Sequence, residues 1–297
     1  MSVKYQVWKV RRDGVNQRYW VAPTSEHDDA VIAVMRDRLP AAESHREQEL
    51  ARNLLQSPSV QESLYRSIVR QYEKTIPTDL GPMLFLHHYL SRGYRGAESL
   101  LVRLATEPSE WYVRHAAIYT IAKSLEPFAP RLIREVLDKA PDDWTVRYAI
   151  VELAASLHTT MENLIRKKIT PTGEAVLDAL ETLGLAMQGK WFEPKDEIDS
   201  ILAALDYFRF DFEKAAGGQI PARVERQVID GLVSVLSSGN LSDDQFEKAL
   251  NVVKNWRSAY SLSKLRSLLN EALPPQRRAM VVDAIHDIEQ RLKRKSG

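Results

Sequence analysis

The sequence contains no cysteine, and this absence excludes several kinds of chemistry at once. Disulfides, thiolate nucleophiles and cysteine-ligated zinc or iron–sulfur centres all need a sulfur atom that the chain does not have. Any catalytic or metal-binding chemistry would therefore have to use oxygen and nitrogen atoms.

Long apolar runs are also absent. No stretch approaches the roughly 18 consecutive apolar residues of a membrane-spanning helix, and the opening MSVKYQVWKVRRDG does not resemble a signal peptide. With 44% hydrophobic residues among 297, the chain can bury a sizeable core. We therefore expect a folded cytoplasmic protein that has no membrane partner.

The sequence also lacks a large excess of one charge sign, since it has 41 Lys and Arg and 40 Asp and Glu. The net charge of +1 is nevertheless unevenly distributed. Residues 1–21 carry +4, because five basic residues face one acidic residue, and four basic residues give 291–297 another +4. The intervening chain therefore carries −7, which confines any nucleic-acid contact to the two basic ends and favours a protein partner for the rest.

Two segments rich in β-branched and aromatic residues, 4–10 and 15–21, flank an Asp-Gly turn and predict an amino-terminal β-hairpin over residues 1–23. The rest of the chain shows helical periodicity broken by Pro, Gly, Ser or Asp. The predicted helices are 25–38, 42–55, 59–75, 79–92, 96–106, 110–124, 128–139, 143–157, 160–168, 172–188, 194–207, 221–237, 242–257, 261–272 and 275–293. We therefore predict two helical regions after the hairpin. Residues 24–190 form HEAT-like helical repeats, and residues 191–297 begin with an irregular segment at 191–220 and continue the solenoid with further helical repeats.

One internal repeat is visible at a spacing of 33 residues: PSEWYVRHAAIYTIA (108–122) aligns with PDDWTVRYAIVELAA (141–155). The matches include a leading Pro, a Trp, a Val-Arg pair and inward-facing Ala positions, and Ser109 or Asp142 is the expected helix cap. In these features, residues 108–155 resemble the HEAT-repeat family, and the short period is most similar to bacterial HEAT-like repeats of the bilin-lyase type.

The resemblance implies an all-α fold, an α-solenoid of antiparallel helix pairs, with the second helix of each pair on the concave side. Such a protein is expected to be a non-enzymatic scaffold that recognises a protein partner on its curved surface. The partner-binding residues implied on that side are Tyr112, His115, Tyr119, Lys123, Tyr148 and Glu152. The alternative interpretation is that these positions only pack against neighbouring repeats or face solvent.

Arg114 and Arg147 occupy the same position in the two repeats. They suggest phosphate binding, but their place near a helix start favours a structural role. We expect each to pair with an acidic residue of the adjacent repeat, with Glu110, Asp142 or Asp143 as candidates.

Two other functions stay open. A nucleic-acid-binding protein, including a HEAT-like DNA-repair type, would use the basic tail and the hairpin, where cations alternate with aromatic rings. The hairpin residues concerned are Trp8, Lys9, Arg11, Arg12, Arg18 and Trp20. A bilin-lyase-like protein is the third possibility. The sequence has no catalytic motif and no compact metal-ligand spacing, so we expect no catalytic residues, metal or cofactor.

Overall fold

The computed structural model describes residues 5–12, 15–23, 30–35, 58–76, 81–108, 110–140, 143–167 and 173–296. In the first three ranges it describes the backbone only. From residue 58 onward the described chain is helical, which confirms the all-helical fold predicted for that part.

The amino-terminal part has strands β1 (Tyr5–Arg12), β2 (Val15–Pro23) and β3 (Ala30–Met35), in the antiparallel order β1-β2-β3. The helix predicted over 25–38 is therefore wrong at residues 30–35. That segment, AVIAVM, contains three β-branched residues, Val31, Ile32 and Val34, whose side chains suit an extended strand.

The helices are short and closely spaced along the chain. They are α1 (Pro58–Lys74), α2 (Gly81–Leu90), α3 (Glu98–Thr106), α4 (Trp111–Ser124), α5 (Ala129–Lys139), α6 (Trp144–Ile165), α7 (Gly173–Met187), α8 (Ile198–Leu205), α9 (Arg209–Ala215), α10 (Ala222–Ser237), α11 (Asp243–Trp256), α12 (Ala259–Leu268) and α13 (Pro275–Ser296). A single 3₁₀ turn at Pro194–Asp196 precedes α8.

Two predicted boundaries need correction. The helices predicted over 143–157 and 160–168 are one continuous helix, α6, because the polar residues between them include neither Pro nor Gly. The helix predicted over 194–207 shortens to α8, and the unpredicted α9 follows it. The irregular pattern of residues 191–220 is partly explained by their aromatic residues, since Trp191, Phe192 and Phe212 are buried in the core.

The chain forms two compact units, Met1–Leu100 and Leu101–Gly297. In the second unit, most helices contact a neighbour in sequence and also a helix two or three positions away. One row of contacting helices runs α4, α6, α8, α11, α13, and the other runs α5, α7, α10, α12. The short α9 contacts α6 and α7.

Helices α7 and α10 approach each other closely. A Cβ atom added to Gly184 would lie 2.7 Å from the carbonyl oxygen of Gln227, and one added to Gly231 would lie 2.6 Å from that of Gly184. Side chains at these two positions would push the helices apart, so glycine is what permits this crossing.

Ion pairs connect neighbouring helices of the same row, and several are half-buried or buried. Arg114–Asp143 and Lys123–Glu152 link α4 with α6, Arg134–Glu181 links α5 with α7, Arg223–Glu181 links α7 with α10, Lys264–Asp230 links α10 with α12, and Lys254–Asp287 links α11 with α13. Each row is therefore held by polar contacts as well as by apolar packing.

Candidate functional site

The two sequence repeats place equivalent tryptophans side by side on the surface. Trp111 begins α4 and Trp144 begins α6, and these helices are neighbours in one row. The two ring centroids are 5.8 Å apart with an interplanar angle of 38°. Both side chains remain more than half exposed, at 52% for Trp111 and 55% for Trp144. Exposed tryptophans in contact form an unusual surface for a folded domain.

Further rings extend this pair across both helices. Tyr112 meets Trp111 edge to face at 6.1 Å, and Tyr148 meets Trp144 in the same way at 6.1 Å. The ring of His115 lies 5.7 Å from that of Tyr148, so it bridges from α4 to α6. We call the whole set the aromatic patch; its members are Trp111, Tyr112, His115, Tyr119, Trp144 and Tyr148.

An ion pair lies farther along the same two helices. The Lys123 ammonium and a Glu152 carboxylate oxygen are 3.9 Å apart, and their side chains are 28% and 17% exposed. Tyr119, one helical turn before Lys123, is 43% exposed. The charges on this surface are thus mutually compensated rather than of one sign.

Arg114 anchors the start of α6 to α4. Its Nε atom lies 3.0 Å from Asp143 Oδ2 and donates to Thr145 Oγ1 at 3.0 Å, and its Nη1 donates to the Pro108 carbonyl. Asp143 is the N-cap of α6 and accepts from the Thr145 amide at 2.8 Å. This confirms the predicted structural role of Arg114 and moves the cap one residue beyond Asp142.

The pKa of Asp143 is lowered from its usual 3.8. Burial opposes ionisation and raises the pKa, but the hydrogen bonds from Thr145 and the nearby Arg114 charge outweigh burial. The carboxylate is therefore held ionised at the start of α6, where it neutralises Arg114.

Arg147 does not repeat this arrangement. No described carboxylate pairs with it, and its buried Nε has no hydrogen-bond partner among the described residues. The prediction that it pairs like Arg114 is therefore not met in the described part of the chain. The next helix of the row, α8, starts differently from α6. It begins after a 3₁₀ turn instead of directly after an Asp cap.

All six residues predicted for partner binding lie on α4 and α6. Tyr112, His115 and Tyr148 belong to the aromatic patch through ring contacts, and Lys123 pairs with Glu152. Reasoning from the sequence missed Trp111 and Trp144, which served only as markers of the repeat. Their identical place at the start of both repeats was the available signal, because a structural repeat stacks equivalent positions on one another.

The alternative nucleic-acid residues are Trp8, Lys9, Arg11, Arg12, Arg18 and Trp20, and their side chains lie outside the described part of the chain. The basic tail continues α13 as far as Ser296. Within it, Arg291 pairs with Asp287 at 2.9 Å, while Lys293 and Arg294 are exposed.

Two further properties apply to the described residues. They do not bring three or more His, Asp or Glu side chains into a group that could hold a metal ion. None of their helices combines the length and apolar character needed to cross a lipid bilayer.

Comparison of the chain with protein-family models, with curated proteins and with solved structures found no match. The aromatic patch and its surroundings therefore have to be interpreted from their own geometry.

Proposed function

We propose that this chain is a cytoplasmic helical-repeat scaffold of the HEAT type that recognises a protein partner through the aromatic patch. The solenoid arrangement is supported by the two rows of helices between residues 101 and 297, since each helix contacts its row neighbour. The sequence repeat supports it further, because Trp111 and Trp144 are 33 residues apart and begin successive helices of one row.

The observation that carries the binding proposal is the exposure of four large aromatic side chains on two adjacent helices. Trp111, Trp144, Tyr119 and Tyr148 are between 43% and 55% exposed. Trp and Tyr are the residues that most often dominate binding energy at protein interfaces, because they bury a large area with few rotatable bonds. The Trp rings also hold one another in place, which reduces the entropy that a partner must overcome.

The charge near the patch favours a protein over a nucleic acid. Binding to a phosphate backbone requires cations that are not already neutralised. Here Arg114 is paired with Asp143 and Lys123 with Glu152, which leaves Arg147 as the one Lys or Arg of α4 and α6 without a described carboxylate partner. An apolar segment of a protein, able to pack on the ring faces, suits this surface better.

The test compares proteins captured from cell extract by wild type and by the double variant Trp111→Ala/Trp144→Ala. A matched control is Phe208→Ala/Phe210→Ala, which removes two aromatics of the same unit that are 55% and 67% exposed. We expect the control to retain a partner that the tryptophan variant loses. With that partner purified, the tryptophan variant should bind at least about 30-fold more weakly, because hot-spot aromatics typically contribute 2 kcal/mol or more.

Circular dichroism must first show that both double variants keep the wild-type helix content. The proposal fails if the tryptophan variant captures the same proteins as wild type with unchanged affinity. It also fails if nuclease treatment of the extract abolishes the capture, because the ligand would then be a nucleic acid.

A further inference from the structure

A second site lies in the unit of residues 1–100, in an open cavity of about 500 Å³. One wall belongs to α1 and includes Tyr65, and the other is the loop 92–95 between α2 and α3. The volume falls in the range of small-molecule pockets, roughly 300–1,000 Å³.

Three arginines line this cavity, and two of them have no acidic partner among the described residues. Arg66 pairs with Glu62 at 2.7 Å, so this pair is neutral. The Arg95 Nη1 atom donates to the carbonyls of Leu90 and Tyr94, which fixes the guanidinium and leaves its other donors unused by these bonds. Arg92 makes no hydrogen bond or ion pair with another described side chain, and it is exposed.

The loop geometry brings these two cations to one cavity. Gly93 has φ of +92° and Gly96 has φ of +101°, conformations that a side chain would strain. The Gly96 amide donates to a Glu98 carboxylate oxygen at 2.7 Å, which holds the end of the loop. The chain therefore turns sharply around Arg95.

Tyr65 adds a buried hydroxyl to the same cavity. The residue is 3% exposed, and its hydroxyl oxygen is buried near the Ala97 amide, but no described residue accepts the hydroxyl proton. Its ring is held by Tyr89 at 5.8 Å and by Tyr94 at 5.3 Å. Burial, and secondly the charge of Glu98, raise the pKa of Tyr65 to about 12, although the Ala97 amide lowers it slightly. The hydroxyl thus keeps its proton at neutral pH, and buried polar groups without a partner are rare in folded proteins.

We propose that this cavity binds the phosphate group of a small organic phosphate. Arg92 and Arg95 hold the phosphate oxygens, because guanidinium groups match phosphate with paired hydrogen bonds. The Tyr65 hydroxyl donates one more bond to the anion. The cavity is far larger than one phosphate ion, and the half-exposed ring of Tyr94 offers a surface for the organic part.

The test is calorimetric titration of the full chain at low salt with phenyl phosphate, inorganic phosphate and benzoate. We expect phenyl phosphate to bind most tightly, since only it combines a dianion with a ring. Arg92→Gln should weaken phenyl phosphate binding by about tenfold, the usual effect of losing a charged hydrogen bond. Tyr65→Phe should weaken it severalfold while leaving helix content unchanged. The matched control is Arg131→Gln, another exposed arginine, which lies over the ring of Phe128.

Several outcomes would overturn the proposal. The proposal fails if phenyl phosphate does not bind at millimolar concentration, or if Arg92→Gln binds it as tightly as wild type. Equal binding of benzoate would show that the site does not select phosphate, and equal binding of inorganic phosphate would show that the organic part contributes nothing. Equal weakening by Arg131→Gln would show a nonspecific effect of net charge.

Discussion

Replacing Asp143 by Ala should destabilise the unit of residues 101–297, because this carboxylate has two structural roles. It caps α6 through the Thr145 amide, and it is the acidic partner of Arg114 on α4. The substitution removes both interactions at once. Asp143→Asn separates them, since Asn caps helices about as well as Asp but carries no charge.

The expected magnitude follows from the burial of the two side chains. Loss of an N-cap costs about 1 kcal/mol. The Arg114 side chain is only 12% exposed, so leaving it without its carboxylate costs about 1–3 kcal/mol more. Asp143→Ala should therefore lose about 2–4 kcal/mol, and Asp143→Asn, which keeps the cap, about 1–3 kcal/mol. For a unit of this size, the loss expected for Asp143→Ala lowers the midpoint of thermal unfolding by roughly 4–16 °C.

The assay is urea and thermal unfolding followed by circular dichroism at neutral pH. Glu162→Ala is the control, because its ion pair with Arg166 lies on the exposed surface of the same helix, with side chains 44% and 58% exposed. That control should change stability by less than about 0.5 kcal/mol. The reasoning is refuted if Asp143→Ala is as stable as the control.

The stabilisation that Asp143 contributes should depend on pH, and the sign of that dependence is fixed by its pKa. The pKa of Asp143 is lowered in the folded state, since the bonds from Thr145 and the Arg114 charge outweigh the opposing effect of burial. Its contribution is therefore complete above the unfolded-state pKa of about 3.9 and is lost as the pH falls through the folded-state pKa. Wild type and Asp143→Ala should differ most near pH 7 and converge as the solution is acidified below about pH 4. A constant difference would exclude the charge of Asp143 as the cause.

Two other substitutions test the packing and capping of the same unit. Gly184→Ala should lose about 1–3 kcal/mol in urea unfolding, because the new Cβ would lie 2.7 Å from the Gln227 carbonyl oxygen; Gly218→Ala is its control, with no atom within 4 Å of the added Cβ. Equal stability of these two variants would contradict the close helix crossing. Ser242→Ala should lose about 1 kcal/mol, because it removes the capping box that Ser242 forms with Gln245 at the start of α11. An unchanged urea midpoint would show that this cap contributes nothing.

Much of the helical architecture was predictable because local signals and packing agree there. Val113, Ala117 and Ile121 recur at helical spacing in α4 and are fully buried, as is Leu125 directly after it. Ala116, one of the repeated Ala positions expected to face inward, is only half-buried. The contact between Arg114 and Asp143 followed from the repeat, since equivalent ends of successive helices lie together.

Other features depend on contacts that no local pattern encodes. Thr145 takes the place of Tyr112 in the second repeat, yet it is fully buried and bonds to Asp143 and Arg114. The cavity that contains Tyr65 joins α1 to a loop almost thirty residues later, so neither segment alone indicates a pocket.

The contact between Trp111 and Trp144 has an optical consequence. Two indoles whose centroids are 5.8 Å apart couple their electronic transitions, and the coupling depends steeply on separation and angle. Because one indole belongs to each repeat, the near-ultraviolet circular dichroism of this pair, isolated by subtracting the spectrum of Trp111→Phe, reports the spacing and twist between α4 and α6. This signal is an intrinsic probe of the distance and angle between the two helices. It needs no attached dye, and it would change if the helical rows bent at this point.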